Sequence, residues 1–228
     1  MKKMSFYEIL INISFEKDLI LPQTYEYIGK LIAKSIFNEN SLIKELHYQK
    51  GYKPYVFGSL PKGKIYKKGK KYLLPIRTIK EEIINNIINY KDEFGSVEVV
   101  SKKELNLEKI TPKLIININP TILVKNDKKY FVPEENISTA IKLLNDNANK
   151  KMKYFFGIEE EIDFIDAIRI INKYPIAIKY KKIKFLGNKF LIVPKQDKLS
   201  QFYVKALMGL GLGDKNAVVG GGFFNIGV

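Results

Sequence analysis

Residues 209–226 read GLGLGDKNAVVGGGFFNI. Six of the 14 residues from 209 to 222 are glycine, with Lys215 and Asn216 between the two glycine groups. Glycine lacks a Cβ, so a backbone built from it turns freely and brings its N–H groups close to an anion. The segment does not close on the Gly-Lys-Ser/Thr of a P-loop, and no βαβ unit surrounds it to make a dinucleotide fingerprint. The run VVGGGFFNIGV keeps the apolar character of a buried strand, so the segment reads as a loop feeding a last strand rather than a loose tail. Gly211, Gly213, Lys215 and Asn216 are therefore candidate phosphate contacts.

Upstream of this loop the chain alternates strand-like and helix-like segments in two similar passes. In the first, 5–15 mixes β-branched and aromatic residues in near-alternation and predicts a half-buried strand. Ile28, Leu31, Ile32 and Ile36 mark a helix over 23–38, and 55–58 is a short strand. The Lys- and Gly-rich stretch PKGKIYKKGKKY, 61–72, predicts a hairpin with a solvent-facing tip. Thr78 is placed to cap a helix over 79–90 with Ile83, Ile84, Ile87 and Ile88 on one face, and 94–105 returns to strand.

The second pass has strands at 114–124 and 129–132, then a long helix from Pro133-Glu134-Glu135 to about Met152, its acids suiting the helix dipole. A strand over 161–170 follows, then two β runs within 174–194 joined at Gly187-Asn188, and a helix over 199–208. The order predicts two α+β sandwiches, each an antiparallel sheet with helices on one face, divided near Thr111-Pro112.

Composition limits the chemistry. The 228 residues contain no Cys and a single His, His47, which excludes disulfides, thiolate metal sites and His-rich metal sites. Lys and Arg total 39 against 24 Asp and Glu, a net charge of +15, which points to a polyanionic partner. Arginine occurs only at 77 and 169. Lysine is a flexible point charge without the fork that reads guanine, so backbone and shape recognition is favoured over a base code. An AT-rich genome also explains the choice of Lys over Arg, though not the net excess.

The Lys run of 61–72, with Lys62, Lys64, Lys67 and Lys68 beside Tyr66 and Tyr72, reads either as a solvated charge cluster or as a basic hairpin next to the His47 segment, binding phosphates and stacking bases. A second basic stripe is carried by Lys179, Lys181, Lys182 and Lys184. The acids at 159–163 resemble surface residues more than a metal site. The start MKKMSFYEILINISF has the charge and apolar run of a signal peptide, but Glu8, Asn12, Glu16 and Asp18 interrupt the pattern and no cleavage site follows. No stretch approaches the ~20 apolar residues of a membrane span, so a soluble, cytoplasmic protein with no membrane partner is expected.

Three segments, taken together, resemble a known family. Leu46-His47 followed by Gly51-Tyr52-Lys53-Pro54-Tyr55-Val56-Phe57 is similar to its Leu-His … Lys-Pro-Phe-x-Phe-Ser segment, with Gly58 here preceding Ser59. Thr111-Pro112, then Lys129-Tyr130-Phe131-Val132-Pro133 and a helix carrying Asn147 and Lys150, form the second, and the glycine loop is the third. The family is the repeat-associated RNA-binding (RAMP) superfamily of CRISPR systems, and within it the endoribonucleases that cut precursor CRISPR RNA in its repeats.

The resemblance implies two tandem ferredoxin-like (βαββαβ, RRM-like) domains, here 1–111 with the histidine and 112–228 with the glycine loop. It also implies metal-independent cleavage by the ribose 2′-hydroxyl, leaving a cyclic phosphate and a 5′-hydroxyl. His47 stands at the family's base position, and Lys53 matches the basic residue that often accompanies it. Tyr27, with Tyr25 beside it, is the candidate for the tyrosine many members use in the first helix. No cofactor or metal is expected. The partner is CRISPR repeat RNA, bound by a monomer or homodimer. The alternative is a non-catalytic RNA-binding subunit of an effector complex with the same fold, in contact with other effector subunits. The residues suit the first reading independently: a two-metal hydrolysis needs clustered carboxylates and histidines, whereas imidazole can take up a 2′-hydroxyl proton near neutral pH.

Overall fold

A computed structural model describes residues 5–39 and 41–228; residues 1–4, the charged start of the signal-like stretch, lie outside them. In the first half the elements are β1 (Phe6–Phe15), β2 (Leu19–Ile20), α1 (Leu21–Ile36), α2 (Glu45–Tyr48), β3 (Tyr55–Phe57), β4 (Ile65–Tyr66), β5 (Tyr72–Thr78), α3 (Glu81–Asn86), β6 (Tyr90–Asp92) and β7 (Gly95–Leu105). They form an antiparallel sheet in the order β3-β5-β1-β7-β6. The alternation in β1 buries Ile9, Ile11, Ile13 and Phe15 on one face, against Ile28, Leu31 and Ile32 of α1 and Ile83 and Ile84 of α3. Each buried isoleucine of this kind contributes about 1.5–3 kcal/mol.

The second half contains β8 (Leu114–Asn117), α4 (Ile137–Phe156), β9 (Ile165–Ile170), β10 (Ile176–Tyr180), β11 (Ile183–Gly187), β12 (Phe190–Pro194), α5 (Lys198–Leu210), α6 (Asn216–Val219) and β13 (Phe224–Gly227). Its antiparallel sheet has the order β13-β8-β12-β9, covered by Leu144, Ala148 and Met152 of α4 and Tyr203, Val204 and Leu207 of α5. Asn136 caps α4 by accepting from Ser138 N at 3.0 Å, and Asp197 caps α5 from Leu199 N and Ser200 N. In both sheets the first main strand lies between the third and the fourth.

The halves are firmly joined. Phe6, Ile79 and Leu107 from the first half sit in the core of the second. Tyr25, Ile122, Ile178, Phe185 and Val219 form a separate apolar cluster between α1, the β10–β11 hairpin and α6. Arg77, one of the two arginines, pairs with Glu8 at 2.8 Å within its own sheet. Across the junction it donates to Phe224 O at 2.6 Å and Asn225 Oδ1 at 3.1 Å.

Several local expectations differ from the structure. Strand β8 stops at Asn117 because the chain turns away at Asn119-Pro120, and Asn119 donates to Phe57 O and Gly220 O; 121–132 makes only isolated bridges. Helix α3 is one short turn and a half, since the chain re-enters the sheet as β6, and Thr78 ends β5 rather than capping the helix. The acids at 134 and 135 precede α4 instead of occupying its first turn.

The stretch 61–72 is not a self-paired hairpin, because β4 pairs with β2. Gly187-Asn188 is not a hairpin turn either: the hairpin is β10–β11, turning at Lys181 (φ +53) and Lys182, while β12 pairs with β8 and β9. Gly187 is small for a different reason, since a Cβ there would stand 3.0 Å from Pro120 Cβ. Among the described residues, no helix is long and apolar enough to cross a membrane.

Candidate functional site

The chain leaves α1 at Phe37 and makes the single turn α2, which carries His47. The imidazole is exposed, 5.3 Å from the Phe37 ring and 5.2 Å from that of Tyr48. A turn of four residues has no helical stability of its own. It is held instead by Lys53, whose ammonium donates to Leu46 O and, at 2.7 Å, to Gln49 O, on either side of His47. Partial burial holds the pKa of Lys53 below the usual lysine range. The six-residue spacing seen in the sequence is therefore an ammonium tying down the turn that presents the imidazole.

His47 and Lys53 open onto a groove of about 360 Å³, whose other walls include Phe37, Tyr55, Tyr180 and Val218. The groove joins both halves: α1 and the α2 segment supply one side, the β10–β11 hairpin and α6 the other. Glu26 of α1 anchors the hairpin by accepting from Lys181 N at 2.6 Å, and it also pairs with Lys30. On the hairpin's outer face Lys179 and Lys184 are directly opposite one another. Like charges in that position cost stability, which an anion across them relieves. With Lys181 and Lys182 they line a shallow depression that reaches Pro22 at the start of α1.

The glycine loop borders the groove through Ala217 and Val218 of α6. Its glycines are buried, and the carbonyls of Gly211 and Gly213 both accept from Lys151 Nζ at 2.7 Å, as does Asn216 Oδ1 at 2.8 Å. Asn216 Nδ2 donates to Leu212 O and Gly221 O. Lys151 is 1% exposed, and burial pulls its pKa down to about 7. Gly213 sits at φ +60 with Ile122 O 2.5 Å from where a Cβ would stand, so only glycine fits. Gly211, Gly213 and Asn216 thus face the buried Lys151 amino group, and of the four candidates in this loop only Lys215 is exposed. Lys215 and Lys53 share a depression of about 450 Å³ with Tyr52 and Asp214.

The other candidates lie elsewhere. Tyr27 packs edge-on against Phe15 and Phe94 with Lys17 over its ring, so it does not line the groove. Tyr25 is buried in the junction cluster, and its pKa is raised by burial to about 12. The 61–72 segment sits by the start of α1, where Lys67 pairs with Asp18 at 2.8 Å and Lys68 with Glu16 at 3.9 Å. His47 is at the other end of this 16-residue helix, roughly 24 Å away along the axis, so the segment is not beside it.

Tyr66, expected to be available for stacking, is buried with its hydroxyl donating to Pro61 O. Lys62 and Lys64 are exposed, and Lys62 is close enough to Lys189 to add to the burial that holds the latter's pKa low. Sequence reasoning passed over Lys151, whose neighbour Lys150 was noted instead, and over Tyr180. The missed signal was a lysine on the apolar stripe of α4, in line with Leu144, Ala148 and Met152. Among the described residues, no three His, Cys, Asp or Glu side chains cluster to hold a metal ion.

No protein-family model matches the chain. It is 30% identical over 206 residues to the CRISPR-associated endoribonuclease Cas6 2 of Methanocaldococcus jannaschii, covering 79% of this chain and 83% of that one. The chain belongs to the Cas6 family of CRISPR-associated endoribonucleases. Solved structures agree on the fold. One described as CRISPR associated protein Cas6 superposes at TM-score 0.68 with 18% identity, covering 99% of this chain and all of that one. A Cas6-related protein from Pyrococcus furiosus gives 0.66 with 18% identity and 98% of each chain. A RAMP protein described as binding different RNA substrates gives 0.71 with 14% identity, over 98% of this chain and all of that one. The mixed α and β architecture described above is thus that of Cas6 proteins.

Proposed function

We propose that this chain binds CRISPR repeat RNA and cuts it within each repeat, using His47 as the base. The observation that carries this reading is the position of the single histidine: exposed, tied down by Lys53, and at the end of a groove formed by both halves. The strand and helix order in each half supports two tandem ferredoxin-like domains, 1–111 and 112–228, with the groove between them.

In the proposed step, His47 takes the proton of the 2′-hydroxyl next to the scissile phosphate. The 2′-oxygen forms a bond to phosphorus, the bond from phosphorus to the 5′-oxygen breaks, and that oxygen takes up one proton from the protonated base or the solvent, matching the one His47 removed. The products are a 2′,3′-cyclic phosphate and a 5′-hydroxyl, and no water or metal enters the balance. An ammonium has three donors. Two of those on Lys53 hold the α2 turn, which leaves one to face the developing charge on the phosphorane. The exposed lysines of the β10–β11 hairpin and Lys215 supply phosphate attraction along the approach.

The test is to incubate purified protein with labelled repeat RNA in excess EDTA and determine the product ends. Cleavage with a 2′,3′-cyclic phosphate is expected. Loss of activity in EDTA, or a 5′-phosphate product, overturns the mechanism. A protein that binds the RNA and never cuts it is instead a non-catalytic subunit.

A further inference from the structure

A third depression also meets Lys53, and no residue of the β10–β11 hairpin lines it. It has a volume of about 510 Å³, within the ~300–1,000 Å³ of small-molecule sites. Its walls come from the α2 segment, from α3 and from the last turn of α4, with Leu46, Pro54 and Phe155 as apolar surfaces and Tyr52 and Tyr154 as rings. Tyr154 is 51% exposed, although it sits in the last turn of a packed helix. Its ring contacts with Tyr52 (5.9 Å, 75°) and Phe155 (4.9 Å, 85°) are both edge-to-face, so neither neighbour stacks on it.

The backbone is shaped around this ring. Gly51 has φ +119, and a Cβ there would stand 3.2 Å from Tyr154 Cε2 and Oη. Glycine at 51 thus lets the chain turn directly under the tyrosine, between the histidine turn and β3. The polar groups around the depression are Glu45, Gln49, Lys53, Lys80 and Glu82, a mixture of donors and acceptors at the rim of an otherwise apolar and aromatic site.

We infer that this depression is a nucleobase subsite: it takes one unstacked base of the RNA, flanking the scissile phosphate, on the ring of Tyr154. This rests on the reading of the His47 groove as the cleavage site. The continuity is physical, because Lys53 lines both the groove and this depression, and an RNA strand leaving the phosphate at His47 on this side meets the aromatic walls next. Stacking of a base on an aromatic ring is worth about 1–3 kcal/mol. The mixed rim presents hydrogen-bonding groups to a base edge, so the subsite contributes to the choice of cut position as well as to affinity.

The test uses repeat RNA with single abasic nucleotides placed on either side of the cut, and separately with 2-aminopurine at those positions. Tyr154→Ala is expected to weaken binding by about 5- to 150-fold, the conversion of the stacking energy above, and Tyr154→Phe to recover most of that loss. One abasic position should produce a similar loss in the native protein and little further loss in Tyr154→Ala. The 2-aminopurine at that position should be quenched by the native protein and not by the variant. Unchanged binding and cut position in Tyr154→Ala, with its melting temperature retained, overturns the subsite and leaves the nuclease reading standing. A native protein that neither binds nor cuts the RNA overturns both.

Discussion

The His47 turn and the glycine loop are each held by one lysine donating to backbone carbonyls, yet they are opposite in kind. Lys53 is half-buried and ties a short turn whose key side chain points outward. Lys151 is fully buried and draws the carbonyls of Gly211 and Gly213 inward, together with Asn216. The glycine loop is the more conspicuous in sequence, but most of its conspicuous residues serve internal packing. The histidine turn has almost no pattern, and it presents the exposed imidazole proposed as the base. Glycine enrichment reports where a backbone must be close to something. That something, here, is another part of the same chain.

The largest effect that would separate the two regions is on chemistry. His47→Ala should reduce single-turnover cleavage by at least 10²-fold, the usual worth of a positioned acid or base, with repeat binding within a few fold. Normal cleavage by that variant breaks the contrast. Lys53→Ala should reduce cleavage less, by about tenfold or more, since the imidazole remains but its turn loosens. A shifted pH–rate profile, which loss of simple phosphate attraction does not produce, identifies the positioning role.

Lys151→Met acts on stability instead. Leaving buried carbonyls without a donor costs about 1–3 kcal/mol each, so a loss of roughly 3 kcal/mol in urea unfolding is expected. The native protein should also respond to pH through this residue. Its pKa is about 7 when folded and 10.5 ordinarily, so the unfolded chain binds more protons between those values. Stability from this group therefore rises as pH increases from about 7 to 10, and that rise should be absent in Lys151→Met.

The smallest effects distinguish the two basic segments. Lys182→Ala and Lys184→Ala on the hairpin should each weaken RNA binding a few fold and lower the salt dependence by about one unit of slope. Lys67→Ala and Lys68→Ala should do less, because these ammonium groups already pair with Asp18 and Glu16. Equal effects would place the RNA along both basic segments.

Much of the fold was legible because it is written in local period. The alternation of β1, the apolar stripe of α1, and the long helix and the later helix of the second half are properties of short windows, and they appear in the structure close to where the sequence places them. The candidate site was less so. His47 was visible by its scarcity, and Lys53 through the resemblance of the segment that follows it to the family's. Tyr27, Lys67 and Lys68 were drawn to the same place on paper, and the structure sets them along α1 toward its other end.

By itself the sequence determined the basic charge, the lack of cysteine, the lone histidine and much of the order of strands and helices, since these depend on composition and on neighbours within a few residues. Tertiary structure alone decided that β4 pairs with β2, that the hairpin turns at Lys181 rather than Gly187, and that the glycine carbonyls face Lys151. Each of those outcomes is a competition for partners among segments far apart in the chain. Burial and hydrogen-bond satisfaction over the whole molecule settle that competition, and no short window of residues contains it.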